Sequence, residues 1–168
     1  MPKNELSIPS TQDAIAEAKF RASKMVNRPA LFSAGMTLVP IPGLDMAVDV
    51  TVMIKMIDSI NREFGLTPAQ IMQLKTQERL ATFEAIHWVG AVLIGKIITS
   101  ELAISVLKSL GVKVAGKQVA RWVPIVGQVS AATLGFAAMK YLGHQHIADC
   151  EAVARRVVQL LEYSNKKL

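Results

Sequence analysis

The sequence is poor in cysteine, in aromatic residues and in the short signatures that mark many enzymes. Cys150 is the only cysteine, so no disulfide can form within the chain and nothing indicates an oxidising compartment. Aromatic residues make up 5% of the chain, and no dense basic face with interleaved aromatics, as nucleic-acid binding requires, is visible. No G-x-S-x-G or H-E-x-x-H pattern occurs. We therefore predict no enzyme, no catalytic residue, no cofactor and no nucleic-acid partner.

The first residues, MPKNELSIPSTQD, also lack the features of a secretory signal. They are polar, contain an acid, and have neither an apolar core nor a small-residue cleavage site. The sequence therefore predicts a protein made in the cytoplasm.

What the chain does have is aliphatic side chains and positive charge. Of its 168 residues 51% are hydrophobic, the mean hydropathy is +0.33, and 19 Lys and Arg against 13 Asp and Glu give a net charge of +6. The length suffices for one domain with a core. Ala, Val, Ile, Leu and Met favour helix packing over a β-sandwich. A basic, apolar chain favours anionic lipid or an acidic partner.

The most regular helical pattern is at the start. Residues 10–13 resemble a capping box, and an apolar stripe then recurs at helical spacing until the chain reaches Pro29. The stripe consists of Ile15, Ala18, Ala22, Met25 and Val26. Basic residues lie off it, which predicts a surface helix with a solvated face in preference to a helix lying on a membrane.

Two proline-containing breaks divide the apolar segments. Residues 29–44 carry no charge and are interrupted by VPIPG at 39–43, and VPIVG recurs at 123–127, half a chain length later. Each break opens an apolar helix expected to end at a glycine, Gly65 or Gly143. We predict two helical hairpins packed as pseudo-equivalent halves, with chance similarity as the alternative. The residues that would shape the hairpins are Pro40, Pro42, Gly43, Asp45, Pro124 and Gly127.

The predicted fold is therefore all-α: a compact helical bundle of two pseudo-repeated apolar hairpins bent at Pro-Ile-x-Gly, flanked by amphipathic helices. Thr67 and Gln70 predict a further capping box, with Pro68 at the first helical position. The predicted segments of this single domain, 1–168, are a flexible N-terminus (1–9), a basic amphipathic helix (10–28), the first apolar hairpin (29–65), a mixed then apolar helix (67–110), a basic connector (111–121), the second apolar hairpin (122–143) and a C-terminal amphipathic helix (144–168).

Two long apolar segments raise the question of membrane insertion. Residues 122–139 reach the length of a spanning helix, but residues 86–107 are interrupted by Lys96 and Glu101. Central charges cost about 2.5–3.5 kcal/mol each on insertion scales, which favours a re-entrant hairpin or a helix packed on all sides. The basic stretch between the two segments is the predicted lipid-binding surface on the cytoplasmic side. It comprises Lys108, Lys113, Lys117, Arg121 and Trp122.

Other groups of polar residues have structural interpretations that we prefer. Asp45 and Asp49 could form a metal or proton site, but an N-cap followed by a second acid one turn later explains them. His146 and Cys150, one turn apart, could share a metal. A solvent-side histidine pair (His144 and His146) at a helix start, with a buried thiol, is the preferred interpretation, so no metal site is predicted.

Two segments fit most of a phosphate-binding loop. GAVLIGKI at 90–97 and GVKVAGKQ at 111–118 both lack the final Ser or Thr that would hold Mg²⁺. The first is expected to lie within a helix, and the second has no clear preceding strand. Both are rejected as nucleotide sites.

VPIPGLD at 39–45, the Met- and Ile-rich helix after it, and Phe64-Gly65-Leu66 resemble the hydrophobic helical domain that follows Era-like GTPase domains in many bacterial proteins. Residues 122–127 and the Ala-rich 130–141 resemble its second block, in the same order. EcsC-like proteins share a similar pattern and are the second choice. The resemblance implies an all-helical, membrane-associated domain with no catalytic residues, usually fused to a GTPase domain that this chain lacks.

Three functions follow as hypotheses. The first is a non-enzymatic domain that associates with anionic lipid through residues 29–54 and 122–139 at the cytoplasmic face of the inner membrane, as a detached partner of an Era-like GTPase. The second is a pore-forming toxin or secreted effector, cytoplasmic before export and paired with an immunity protein. The third is a soluble helical scaffold or protein-binding module. Each is compatible with a homo-oligomer.

Overall fold

The structure, a computed structural model, describes residues 8–28, 44–106, 108–109 and 129–166, with the backbone alone at 44–49 and 129–138. In these ranges every regular element is a helix, which confirms the all-α fold class. The helices are α1 (Gln12–Val26), α2 (Leu44–Glu63), α3 (Pro68–Gln73), α4 (Thr76–Val89) and α5 (Val129–Asn165), with a short helix at residues 100–106. The predicted bends at 39–43 and 123–127 lie outside the described residues.

Local sequence sets the ends of the first helices. The Thr11 hydroxyl accepts from the Ala14 N–H at 3.1 Å and so caps α1. Thr67 and Gln70 form the predicted capping box of α3. Gly65, at φ 69°, ends α2, and the Leu66 N–H donates to the Asn61 carbonyl at 2.8 Å. The predicted caps at Gly65 and at Thr67 with Gln70 are confirmed, whereas at α1 a single bond to the Thr11 hydroxyl takes the place of the capping box predicted over residues 10–13.

The mixed segment after Thr67 is two helices, not one. Leu74 has an extended backbone (ψ 152°), which ends α3, and α4 starts again at Thr76. α4 then stops at Gly90, whose φ of 72° belongs to the left-handed region that glycine adopts easily. The expectation that residues 90–97 lie within a helix is therefore wrong. They form a loop that leads to the helix at 100–106.

The last helix is the centre of the packing. α5 contacts α1, α2 and α4, and its buried side chains form a common core with theirs. The stripe predicted on α1 is buried at Ile15, Ala18, Ala22 and Val26, while Met25 is half-buried. Among the α5 residues whose side chains the structure describes, from residue 139 on, the buried ones are Met139, Leu142, Gly143, His146, Ile147, Cys150, Val153, Ala154 and Val157.

Gly143 lies inside α5 and does not end it, contrary to the sequence prediction. A Cβ built on Gly143 would lie 2.9 Å from both methyl carbons of Val26 and 3.1 Å from the sulfur of Met56. The two distances to Val26 are shorter than real Cβ contacts and the distance to Met56 is tighter than most of them, so the missing side chain is what lets α5 cross α1 and α2 so closely. The glycine serves close packing, not helix termination.

Among the described residues, no helix combines the length and the apolar character needed to cross a bilayer.

The helix crossing at Gly143 can be tested with a single methyl group. Gly143→Ala should lower the free energy of unfolding by about 1–3 kcal/mol, because stiff Val26 cannot move away. In a loosely packed helix the same change would be stabilising by about 1 kcal/mol. Urea unfolding measures the difference.

The control is the double variant Val26→Ala, Gly143→Ala. Removing the Val26 methyl groups makes room for the new one, so the double variant should be more stable than the sum of the two single effects. A Gly143→Ala protein more stable than the native chain would contradict the close crossing.

Candidate functional site

Three buried polar side chains meet between α2 and α5. Asn61 projects from α2, and His146 and Cys150 project from one face of α5, because residues four apart lie above one another on a helix. Their exposed fractions are 2%, 2% and 0%. We call these three side chains the Asn–His–Cys cluster.

Hydrogen bonds fix the orientation of every member of the cluster. The Asn61 Nδ2 donates to the Leu93 carbonyl at 3.1 Å, so its Oδ1 must point to the other side and accept. His146 Nε2 lies 2.9 Å from this Oδ1, which assigns the proton to Nε2. The Cys150 thiol lies 3.6 Å from the same oxygen and 3.7 Å from His146 Nε2. One carboxamide thus connects α2, α5 and the loop at 90–99.

Burial keeps both titratable members uncharged. Desolvation lowers the pKa of His146 to about 4, and desolvation followed by the nearby Asp149 carboxylate raises the pKa of the Cys150 thiol. A nucleophilic cysteine needs a thiolate, and a buried neutral thiol beside a neutral imidazole does not supply one. The chemistry that this arrangement offers is hydrogen bonding within a core.

The cluster also falls short of a metal centre. His146 and Cys150 supply two potential metal ligands, whereas a structural zinc site takes four. No group of three or more His, Cys, Asp or Glu side chains comes together within the described ranges. Asp149 is half-buried, and desolvation raises the pKa of its carboxyl group.

The position of His146 corrects the sequence interpretation. It is buried in the middle of α5, not on the solvent side of a helix start, whereas His144 is exposed and Cys150 is buried as expected. Asn61 was not predicted from the sequence. The sequence does contain a pattern that indicates burial of Asn61. This residue follows Ile60 and lies one turn after Ile57 and one turn before Phe64, on a helix face whose other members are fully buried.

The predicted lipid-binding residues are mostly outside the described part. Lys108 is described and exposed, whereas Lys113, Lys117, Arg121 and Trp122 lie outside the described residues. The same holds for the predicted hairpin residues Pro40, Pro42, Gly43, Pro124 and Gly127. The backbone of Asp45 lies in α2, but its side chain, like that of Asp49, is outside the described set, so the capping role stays a prediction.

Three large apolar side chains near the end of α4 face solvent. The exposed fractions are 68% for Trp88, 58% for Val92 and 80% for Ile97. The guanidinium carbon of Arg156, on α5, lies 4.8 Å from the centroid of the Trp88 ring, which is a cation–π distance. Apolar and cationic groups are thus adjacent on this part of the surface.

Comparison of the chain with known protein families, with curated proteins and with solved structures finds no match. The resemblance to the helical domain that follows Era-like GTPases, and to EcsC-like proteins, therefore stays a prediction.

The buried imidazole predicts an acid-sensitive core. A histidine with a pKa of about 4 when folded and 6.5 when unfolded binds fewer protons in the native state between those values. The contribution of His146 to the free energy of unfolding is complete above pH 6.5 and is lost as the pH falls towards 4. Between pH 7 and pH 5 the native chain should lose about 2 kcal/mol of unfolding free energy through this residue.

Urea unfolding at both pH values measures that loss. His146→Gln should flatten the dependence, while the exposed neighbour His144→Gln should retain it. An unchanged dependence in the His146 variant would show that other groups cause the loss.

Asn61 should be the most sensitive member of the cluster. Asn61→Ala leaves the His146 N–H and the Leu93 carbonyl buried without partners, and should cost about 2–4 kcal/mol of unfolding free energy. Cys150→Ala removes one weak donor and should cost about 1 kcal/mol. Equal costs for the two variants in urea unfolding would show that the carboxamide does not hold the elements together.

Proposed function

We propose that this protein is a non-enzymatic helical module that associates with anionic membranes at the cytoplasmic face of the inner membrane. The observation that carries the proposal is the distribution of charge. Between Glu101 and Asp149 the chain has five Lys and Arg and no acidic residue, so this segment alone holds +5 of the net charge of +6. It also contains the charge-free, apolar residues 122–139.

Cations next to apolar chain suit a membrane surface. Each Lys or Arg near an anionic bilayer contributes about 1 kcal/mol, and adjacent apolar side chains add burial in the interfacial region. Lys108, at the start of the predicted lipid-binding stretch, is exposed and so is available to a surface. The charge-free residues 29–44 are a second apolar segment that would contribute.

The chemistry of the core supports a non-enzymatic role. The Asn–His–Cys cluster is closed to solvent, and burial holds its thiol and imidazole in their neutral forms. A GTPase as protein partner is a proposal that rests on the sequence resemblance alone.

Binding to anionic vesicles should depend on where the cations lie in the chain as well as on how many there are. Lys113→Glu, Lys117→Glu, Arg121→Glu should weaken binding to vesicles of phosphatidylcholine and phosphatidylserine in equal parts by about 100-fold or more. The control reverses Lys55, Lys75 and Lys166, which are exposed and lie in other parts of the chain. Both triple variants have the same net charge of zero.

Vesicle sedimentation across lipid concentrations gives the affinities. The control should keep most of the native affinity, and the native chain should not bind vesicles of phosphatidylcholine alone. A native chain that stays in the supernatant with both lipids would refute membrane association. Release of a trapped dye on binding would instead favour the pore-forming alternative.

A further inference from the structure

The solvent side of α4 carries a regular stripe of four residues. Thr76, Leu80, Phe83 and His87 follow one another at spacings of four, three and four, so helical geometry places them on one face. All four are exposed. This spacing is that of the a and d positions of a coiled-coil heptad. We call these four residues the α4 stripe.

The opposite face of α4 is the one that packs on the core. Ala81, Thr82 and Ala85 lie there and are buried, and α4 contacts α5. In the α4 stripe, by contrast, Leu80 is 63% and Phe83 47% exposed. An isolated exposed apolar residue is ordinary on any protein surface. Two large ones side by side, at the centre of a heptad-spaced stripe, are typical of a helix that packs against another helix.

Charges of opposite sign flank this apolar centre. Arg79 precedes Leu80 and lies on one flank, at position g of the heptad, whereas Glu84 lies on the other flank, at position e. Arg79 Nη1 donates to the Met72 carbonyl at 3.4 Å, which leaves its other N–H groups for a second acceptor. Within the described part of the chain, the ion pairs do not include Glu84.

The other two charges near α4 lie at its start. The Glu78 carboxylate accepts from the Lys75 N–H at 3.4 Å and so belongs to the cap of the helix itself. One cation and one acid therefore remain beside the apolar centre, on opposite flanks. Such a pattern favours neither a uniformly cationic nor a uniformly anionic partner. It is complementary to a second copy of itself.

The heptad positions decide how two copies would pair. In a parallel pair, position g of one helix meets position e of the next heptad in the other, five residues further on. Arg79 of each copy would then lie beside Glu84 of the other, giving two ion pairs around Leu80 and Phe83. An antiparallel pair centred on the same two apolar residues matches g with g and e with e, so it forms neither ion pair. The charges thus favour the parallel arrangement.

We propose that the α4 stripe is the interface of a weak, symmetric homodimer in which α4 packs in parallel against α4 of a second copy. Leu80 and Phe83 form its apolar centre, and the Arg79–Glu84 pairs set the direction. Exposed ion pairs add little affinity but discriminate between arrangements. The apolar seam spans a single heptad, so the dissociation constant should be on the order of 100 µM. The inference is independent of the proposed function, because it involves no lipid.

Sedimentation equilibrium of the native chain without lipid tests the dimer. Over about 10 µM to 1 mM protein the apparent mass should rise from 18.2 kDa towards twice that value. Phe83→Ser should raise the dissociation constant about tenfold, because it removes the larger apolar contact of the seam. Phe83 is exposed in the single chain, so the urea midpoint of the variant at low concentration should stay close to the native one. Phe20→Ser is the matched control, since Phe20 is an exposed phenylalanine on α1.

Charge reversal tests the parallel pairing. Arg79→Glu and Glu84→Arg each place like charges across the seam, so each variant alone should associate about tenfold more weakly. An equimolar mixture of the two variants should associate as well as the native chain, because both pairs across the mixed seam then have opposite charges. Lys55→Glu makes the same change in net charge as Arg79→Glu on an exposed part of α2 and should leave association unchanged.

Each outcome of these measurements decides a part of the proposal. A native chain that stays monomeric over the whole concentration range would overturn the dimer and leave the α4 stripe to a different partner. A dimer that tolerates Phe83→Ser as well as Phe20→Ser would show that another surface forms it. A dimer that neither charge reversal weakens, or that the mixture does not restore, would refute the parallel pairing of α4. Vesicle binding is measured separately, so none of these results bears on membrane association.

Discussion

Burial of a neutral imidazole opposite a carboxamide is the interaction on which the rest of this structure depends. His146 has lost its contact with water, and its Nε2–H is compensated by Asn61. The carboxamide turns its oxygen towards that N–H because its amino group donates to the Leu93 carbonyl on the other side. A single residue of α2 therefore connects α5 to the loop that follows α4. Such connections raise the cost of any rearrangement, since each buried polar atom would lose its partner.

Close packing of α5 makes that interaction possible. Gly143 lies one turn before Ile147 and just before His146, and it allows α5 to approach Val26 and Met56. Beside that crossing the core is filled with aliphatic side chains and Phe64, as the composition of the chain required. Within a single turn, α5 thus has both the close approach at Gly143 and the polar contact at His146. Together these two contacts set the rotation of α5 relative to α1 and α2.

Local rules predicted the local features well. A hydroxyl or a glycine next to an apolar periodic segment correctly placed the start of α1, the end of α2 and the start of α3, because caps depend on neighbouring residues. The role of Gly143 was misjudged for the same reason: a glycine in a helical pattern indicates an end locally, while its actual role depends on Val26, far away in the chain. The end of α3 at Leu74 was not predicted, because no proline or glycine lies near it in the sequence.

Only part of the candidate site was predicted from the sequence. Cys150 was correctly expected to be buried, since an isolated cysteine usually is. His146 and Asn61 were not recognised as a pair because polar residues on separate helices pair only after packing is known. The predicted lipid-binding residues beyond Lys108 lie outside the described residues, so their proposed role rests on charge and spacing.

Nitrogen-15 NMR of labelled histidine in the native chain tests the central claim most directly. With His87 and His144 as exposed comparisons, the account predicts that His146 gives the signals of a neutral imidazole protonated at Nε2, unchanged from pH 7.5 to pH 5.5. A His146 imidazole that becomes protonated near pH 6.5, or that carries its proton on Nδ1, would contradict it.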